Sequence, residues 1–286
     1  MTASYEKYLS PMEAVAPVYE ALHTLEFSDI IGFTELIVEN FYSLILANKL
    51  LTGDAIDAGA NAGRHSSRLA LLTQPRGKHV VIIEPNEEMH PLIRGGCEAE
   101  FCKNYTILPN ALSDTGGETL EFVVFDNSQI SSLRESVTPE HQAIQPKRIV
   151  QLQTITLDEI VQQHQLQCAF IKLDIEGKDF VVMNAVPSLL QHQRPFFAAE
   201  LLPTSAPEGQ DFMDLFHTMT QHDYLCVDGF GHVYNPTMWN YHGGFLYWNR
   251  FFIPQEYAGL ILPPFRRMVK ELWLTQSVMR QVQLPA

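Results

Sequence analysis

No CxxC pair occurs among the four cysteines, Cys97, Cys102, Cys168 and Cys226, so neither a metal nor a disulfide framework is indicated. Two of them sit in apolar, strand-like runs and read as buried free thiols of a reducing compartment. Basic residues are scarce too. The 19 Lys and Arg stand against 33 Asp and Glu, for a net charge of -14. So acidic a chain opposes nucleic acid and anionic membranes as partners, because both require clustered cations. No apolar run is long enough to span a bilayer, and Met-Thr-Ala-Ser-Tyr-Glu-Lys-Tyr lacks the basic start and apolar core of a secretory leader. The expected location is cytoplasmic. No Gly-, Ser- or Pro-rich linker divides the chain, and no internal repeat is found. At 46% hydrophobic and 18% charged over 286 residues, it can bury a full core.

Alternating patterns follow in order. Residues 1–51 carry helical spacing, as in Val15, Tyr19, Leu22 and Leu25, and again in Ile37, Phe41, Leu44 and Ile45. They could cover a sheet edge, form a lid or make a dimer contact. Strands are expected at 54–57, 79–83, 105–108, 119–125, 149–154, 169–174, 196–200, 224–228 and 245–252, with helices at 64–73, 87–94, 157–164, 178–190 and 211–222 between them. Residues 128–147 read as an irregular insertion, and a mostly helical tail starts at Gln255. Such alternation implies an α/β fold with a mainly parallel, doubly wound sheet. Ligands of these sheets bind beyond the carboxyl ends of the strands. Asp57, Glu84, Asp174 and Glu200 all fall at those ends.

The turn Asp57-x-Gly59-x-Asn61-x-Gly63 lacks the G-x-G-x-x-G spacing of a dinucleotide site. Its acid would repel a pyrophosphate and suits a cation, such as the ammonium or sulfonium of S-adenosylmethionine. Glu84 is placed to accept bonds from both ribose hydroxyls, and Asn110-Ala111 could hold the adenine. Glu84 before Pro85 would equally suit a helix start, and Asn110 a turn.

Taken together, Ile56 to Gly63, Glu84-Pro85, Asn110 to Asp114, Thr156 to Glu159 and the block Ile171-Lys172-Leu173-Asp174-Ile175-Glu176-Gly177 resemble the FkbM family of S-adenosylmethionine-dependent methyltransferases. The resemblance runs from about Ala55 to about Pro254. It departs from the pattern at Arg64-His65, where many relatives carry apolar or aromatic residues. It implies a class I methyltransferase (Rossmann-like) fold, seven-stranded with an antiparallel last strand. The expected layout is an N-terminal helical extension over 1–51, a methyltransferase domain over 52–254 and a C-terminal helical tail over 255–286. The implied cofactor residues are Asp57, Gly59, Ala60, Asn61, Gly63, Glu84, Pro85, Asn110, Ala111 and Asp174. The implied reaction is methylation of a hydroxyl on a natural product, sugar or glycan, with S-adenosylhomocysteine as product.

Because a sulfonium is already an activated donor, the protein's task is to position the acceptor oxygen and take its proton. Asp174 could hold the methionine moiety or the acceptor, and His65, Glu176 and Glu200 are candidate bases. Asp174, Glu176 and Glu200 could also ligate a hard divalent cation, although acids at strand ends need no ion to explain them. The aromatic stretch Phe230, Tyr234, Trp239, Tyr241, Phe245, Tyr247 and Trp248 could wall the acceptor, with His232 and His242 beside it. A homodimer through the terminal helices is a further expectation. Two rival readings are a nicotinamide-dependent oxidoreductase and a non-catalytic binding module.

Overall fold

The computed structural model describes residues 3–11, 27–49, 52–201, 212–233 and 249–275. Its first half runs through α1 (Phe27–Leu46), β1 (Asp54–Ala58), α2 (Arg64–Thr73), β2 (Val80–Ile83), α3 (His90–Ala99), β3 (Tyr105–Leu108), β4 (Ala111–Leu112), β5 (Thr119–Val124) and β6 (Ser132–Leu133). There follow β7 (Arg148–Ile155), α4 (Leu157–Gln163), β8 (Cys168–Leu173), α5 (Asp179–Asn184), α6 (Pro187–His192) and β9 (Phe196–Glu200). The last elements are α7 (Phe212–Gln221), β10 (Tyr224–Val227), β11 (Asn249–Pro254) and α8 (Ala258–Thr275).

Seven strands form the main sheet in the order β10-β11-β9-β8-β1-β2-β3. The pairs β1–β2, β2–β3, β1–β8 and β8–β9 are parallel, whereas β11 is antiparallel to both β9 and β10. The sheet is therefore mixed, with its last strand inverted. From β1 the chain steps outward to β3 and then returns to place β8 on the other side of β1. That reversal of strand order opens a crevice at the carboxyl ends of β1 and β8. β1 is buried along its whole length and β8 nearly so, as expected for central strands covered on both faces.

Helix α1 supplies one cover. Phe41 packs against Phe170, Phe196, Phe251 and Phe265, and Phe33 against Trp273 of α8. Both helices thus share the core of the sheet. Among the described residues no helix is long and apolar enough to cross a membrane.

Several elements differ from the sequence-based expectation. The single helix foreseen over 178–190 is two, α5 and α6, because Pro187 cannot continue α5 and instead opens α6. The helix foreseen at 87–94 is a 3₁₀ turn, Glu87–Met89, followed by α3 as far as Ala99. A second sheet, β4-β7-β5-β6, stands beside the first, and the insertion supplies its edge strand β6. The insertion also crosses the crevice. Ser128 Oγ donates to Asn61 Oδ1 at 2.8 Å, while Glu135 forms an ion pair with Lys178, which follows β8. The aromatic positions 234–248, including Tyr234, Trp239, Tyr241, His242, Phe245, Tyr247 and Trp248, lie outside the described residues, as does Met279.

Candidate active site

Sheet register brings the four strand-end acids to one face. Asp57 pairs with Ile82 of β2 and with Lys172 of β8, and Lys172 with Ala198 of β9. Two residues on, the pleat returns to the same face, so Glu84, Asp174 and Glu200 follow Ile82, Lys172 and Ala198 there. Asp57 is fully buried. Its Oδ2 accepts a 2.5 Å bond from Ser66 Oγ in the first turn of α2, and its Oδ1 has no hydrogen-bond partner among the described residues. A polar oxygen left bare in the interior costs free energy unless a donor reaches it.

The glycine turn holds this geometry. The N–H groups of Gly59 and Ala60 both donate to Ile83 O, at 3.0 and 3.2 Å. Gly59 has φ 74°, and a Cβ there would lie 1.6 Å from Asp174 O. Only glycine lets the turn press so closely on the end of β8. Gly63, at φ 83°, opens α2 against Ile93 of α3. Asn61, itself at φ 47°, turns its N–H to Glu84 Oε2 at 2.7 Å.

Glu84 is buried. Its Oε1 accepts from Asn86 N at 2.8 Å, so each oxygen holds one backbone N–H and keeps a lone pair for a further donor. Burial pushes its pKa up to about 7, although the amides of Asn86 and Asn61 pull the other way. Pro85 is half-buried beside it, and Arg148 reaches in from β7 to Asn86 Oδ1 at 3.1 Å.

At the β8 side, Lys172 is buried and its Nζ lies 3.0 Å from Asp174 Oδ2. Burial alone would lower its pKa, but the charges of Asp174, Asp57 and Glu35 outweigh that and raise it. Glu176 sits in the left-handed region at φ 54°. Burial, then Asp174 and Asp179, push its carboxyl up to about 8. Burial and the charges of Asp174 and Glu176 also hold Glu200 well above the usual carboxylate range. Asp179 accepts from the N–H groups of Ile175 and Gly177 and, through burial first, is pushed up to about 7. The crevice therefore combines one fixed ammonium with several carboxyls that change charge near neutrality.

Three candidates from the sequence are held by partners of their own. His65 is buried between α1 and α2, with Nε2 2.8 Å from Glu35 Oε2 and Nδ1 3.4 Å from Tyr42 Oη. Its neighbour Arg64 pairs with Glu39 at 2.7 Å. The departure at Arg64-His65 thus docks α1 onto α2, next to Ser66, which bonds Asp57. Asn110 donates to Gln153 O at 3.1 Å, and Ala111 begins β4, paired with Thr154. Both belong to the joint between the two sheets. Among the described residues no group of three or more His, Cys, Asp or Glu is placed to hold a metal ion. Lys172 acts as a cation on Asp174, Glu176 and Glu200.

Four residues of the crevice were not assigned a role from sequence: Lys172, Ser66, Asp179 and Glu35. Lys172 carried a usable signal, since a lysine two residues before a strand-end aspartate shares its face. Glu35 reaches the crevice from a distant helix and left none.

A family model of the methyltransferase FkbM domain matches residues 57–226. No curated protein matches the chain. Among solved structures, a methyltransferase FkbM from Methylobacillus flagellatus KT is 17% identical with a TM-score of 0.43, covering 71% of this chain and 43% of its own. A precorrin-6y C5,15-methyltransferase from Geobacter metallireducens GS-15 is 12% identical with a TM-score of 0.33, covering 62% and 65%. The chain thus spans less than half the length of the first of these structures. With the family model extending over more than half of its residues, the chain belongs to the FkbM methyltransferase family.

Proposed function

We infer that this chain uses S-adenosylmethionine to methylate a hydroxyl oxygen on a small natural product, sugar or glycan, on the class I, doubly wound plan. The observation that carries the reading is Asp57, a buried acid with a bare Oδ1 at the switch point, next to Glu84 on the neighbouring strand end. The residues fit such a donor. Asp57 Oδ1 suits its ammonium, and the free lone pairs of Glu84 suit the two ribose hydroxyls. S-adenosylmethionine supplies a methyl group already activated as a sulfonium.

The remaining work falls to the chain. Lys172 fixes the Asp174 carboxylate at the rim, where it can orient an acceptor hydroxyl. An alcohol keeps its proton at neutral pH, so a base must take it as the oxygen attacks. Glu176 and Glu200 are suited to that role because burial and like charge bring their pKa values towards or above neutrality. The insertion from Ser128 to Glu135, pinned to Asn61 and Lys178, walls the acceptor side and keeps out water.

Calorimetry with S-adenosylhomocysteine and with NADH tests the donor. The product should bind and NADH should not, and Asp57→Ala should weaken the product by about tenfold or more, roughly 1.4 kcal/mol. Tighter binding of NADH, or full affinity in Asp57→Ala, would refute the reading. Labelled donor offered with a panel of hydroxylated acceptors then separates an enzyme from a module that binds without turnover.

A further inference from the structure

A cavity of about 410 Å³ opens between residues 7–11, the loop after β10 and helix α8. Its walls carry three basic side chains, Lys7, His232 and Arg266, with Tyr8, Leu9 and Leu262 as the apolar part and, among the described residues, no carboxylate. In a chain with 33 acidic and 19 basic residues, this grouping runs against composition.

The cationic wall is built into the fold. Asp228 is buried, and its Oδ1 accepts the N–H groups of Phe230 and His232, both at 2.8 Å. Its Oδ2 lies 3.0 Å from His232 Nδ1, so that bond does not occupy Nε2. Burial alone would lower the pKa of His232, but Asp228 outweighs it and holds the imidazole above its ordinary value. Gly231, at φ 80°, admits Arg266: a Cβ there would lie 2.6 Å from Arg266 Cγ. Arg266 spends Nε on Gly231 O at 2.8 Å, which fixes the plane of the guanidinium and leaves its two terminal nitrogens for a ligand. Ser10 and Val233 exchange two hydrogen bonds, tying residues 7–11 to the same loop.

We propose that this cavity binds a small organic anion, a carboxylate or phosphate carrying a short apolar body, at a site sharing no residue with the donor crevice. Arg266 offers its planar pair of donors, His232 Nε2 and Lys7 Nζ add single ones, and Leu9 and Leu262 receive the body.

The test uses the full chain with three probes, inorganic phosphate, acetate and hexanoate, followed by saturation-transfer NMR. Saturable binding is expected, weakened about tenfold or more by Arg266→Gln and by Lys7→Ala. Lys7 is exposed, so its replacement leaves the fold intact. Phosphate binding tighter than hexanoate assigns a phosphate ligand, and hexanoate tighter than both phosphate and acetate assigns a carboxylate with a tail. The proposal is overturned if none of the three binds saturably, or if both variants bind as the parent does. Loss of S-adenosylhomocysteine affinity in Lys7→Ala would also overturn it, since the two sites would then be one.

Discussion

With Glu84 on the ribose, as proposed, donor binding should be a proton-coupled event. Its carboxyl titrates at about 7 because it is buried. Two ribose hydroxyls donating to it would favour the ionised form and return it towards its ordinary 4.5. A full return would correspond to coupling on the order of 3 kcal/mol. Linkage then fixes the proton count: about 0.9 released per S-adenosylhomocysteine bound at pH 6, about 0.5 at pH 7 and about 0.1 at pH 8. Affinity should rise with pH below about 7 and flatten above it. Calorimetric titrations in buffers of small and large ionisation enthalpy measure the release directly. In Glu84→Gln, which cannot ionise, this component should vanish and the product should bind at least about tenfold more weakly. Parent protein that releases no protons at pH 6, or a Glu84→Gln variant that releases as many, would refute the assignment of Glu84 to the ribose.

Gly59→Ala should lose about 1–3 kcal/mol of stability in urea unfolding, because the new methyl meets Asp174 O in a left-handed backbone; an unchanged midpoint would deny that contact. His65→Ala should lower stability by about 1–3 kcal/mol through a lost bond to Glu35 while leaving S-adenosylhomocysteine affinity intact, which a parallel binding titration checks. Ligand-free protein should become less stable as pH rises. Glu84, Asp179 and Glu176 have folded values of about 7, 7 and 8, above their ordinary 4.5, 3.8 and 4.5. The folded chain thus holds protons the unfolded chain has released. That stability is complete below about pH 4 and gone above about pH 8, as a series of thermal melts will show.

The acids of the crevice were legible because strand ends show locally: an apolar run stops at Asp57, at Glu84, at Asp174 and at Glu200, and register carries all four to one face. The glycine turn was legible for the same reason, since Gly59 and Gly63 answer a backbone need. What the sequence hid was pairing across distance. His65 is 30 residues from Glu35, and nothing in the spacing of either names the other. Asn110 gives its amide N–H to Gln153 O, 43 positions on, and no local pattern joins the two. The second sheet was hidden likewise, because β4 and β6 are two residues each and gain meaning only beside β7 and β5. The break at Pro187 was in plain view.

Among the described residues, the segment from Ser128 to Glu135 rests on the crevice through a hydrogen bond to Asn61 and an ion pair to Lys178. The glycine turn and its acids are wired to the strands by contacts of their own. The bridge can therefore change in length or polarity without disturbing the strand-end acids. On the proposed reading, acceptor choice would then rest on a replaceable part.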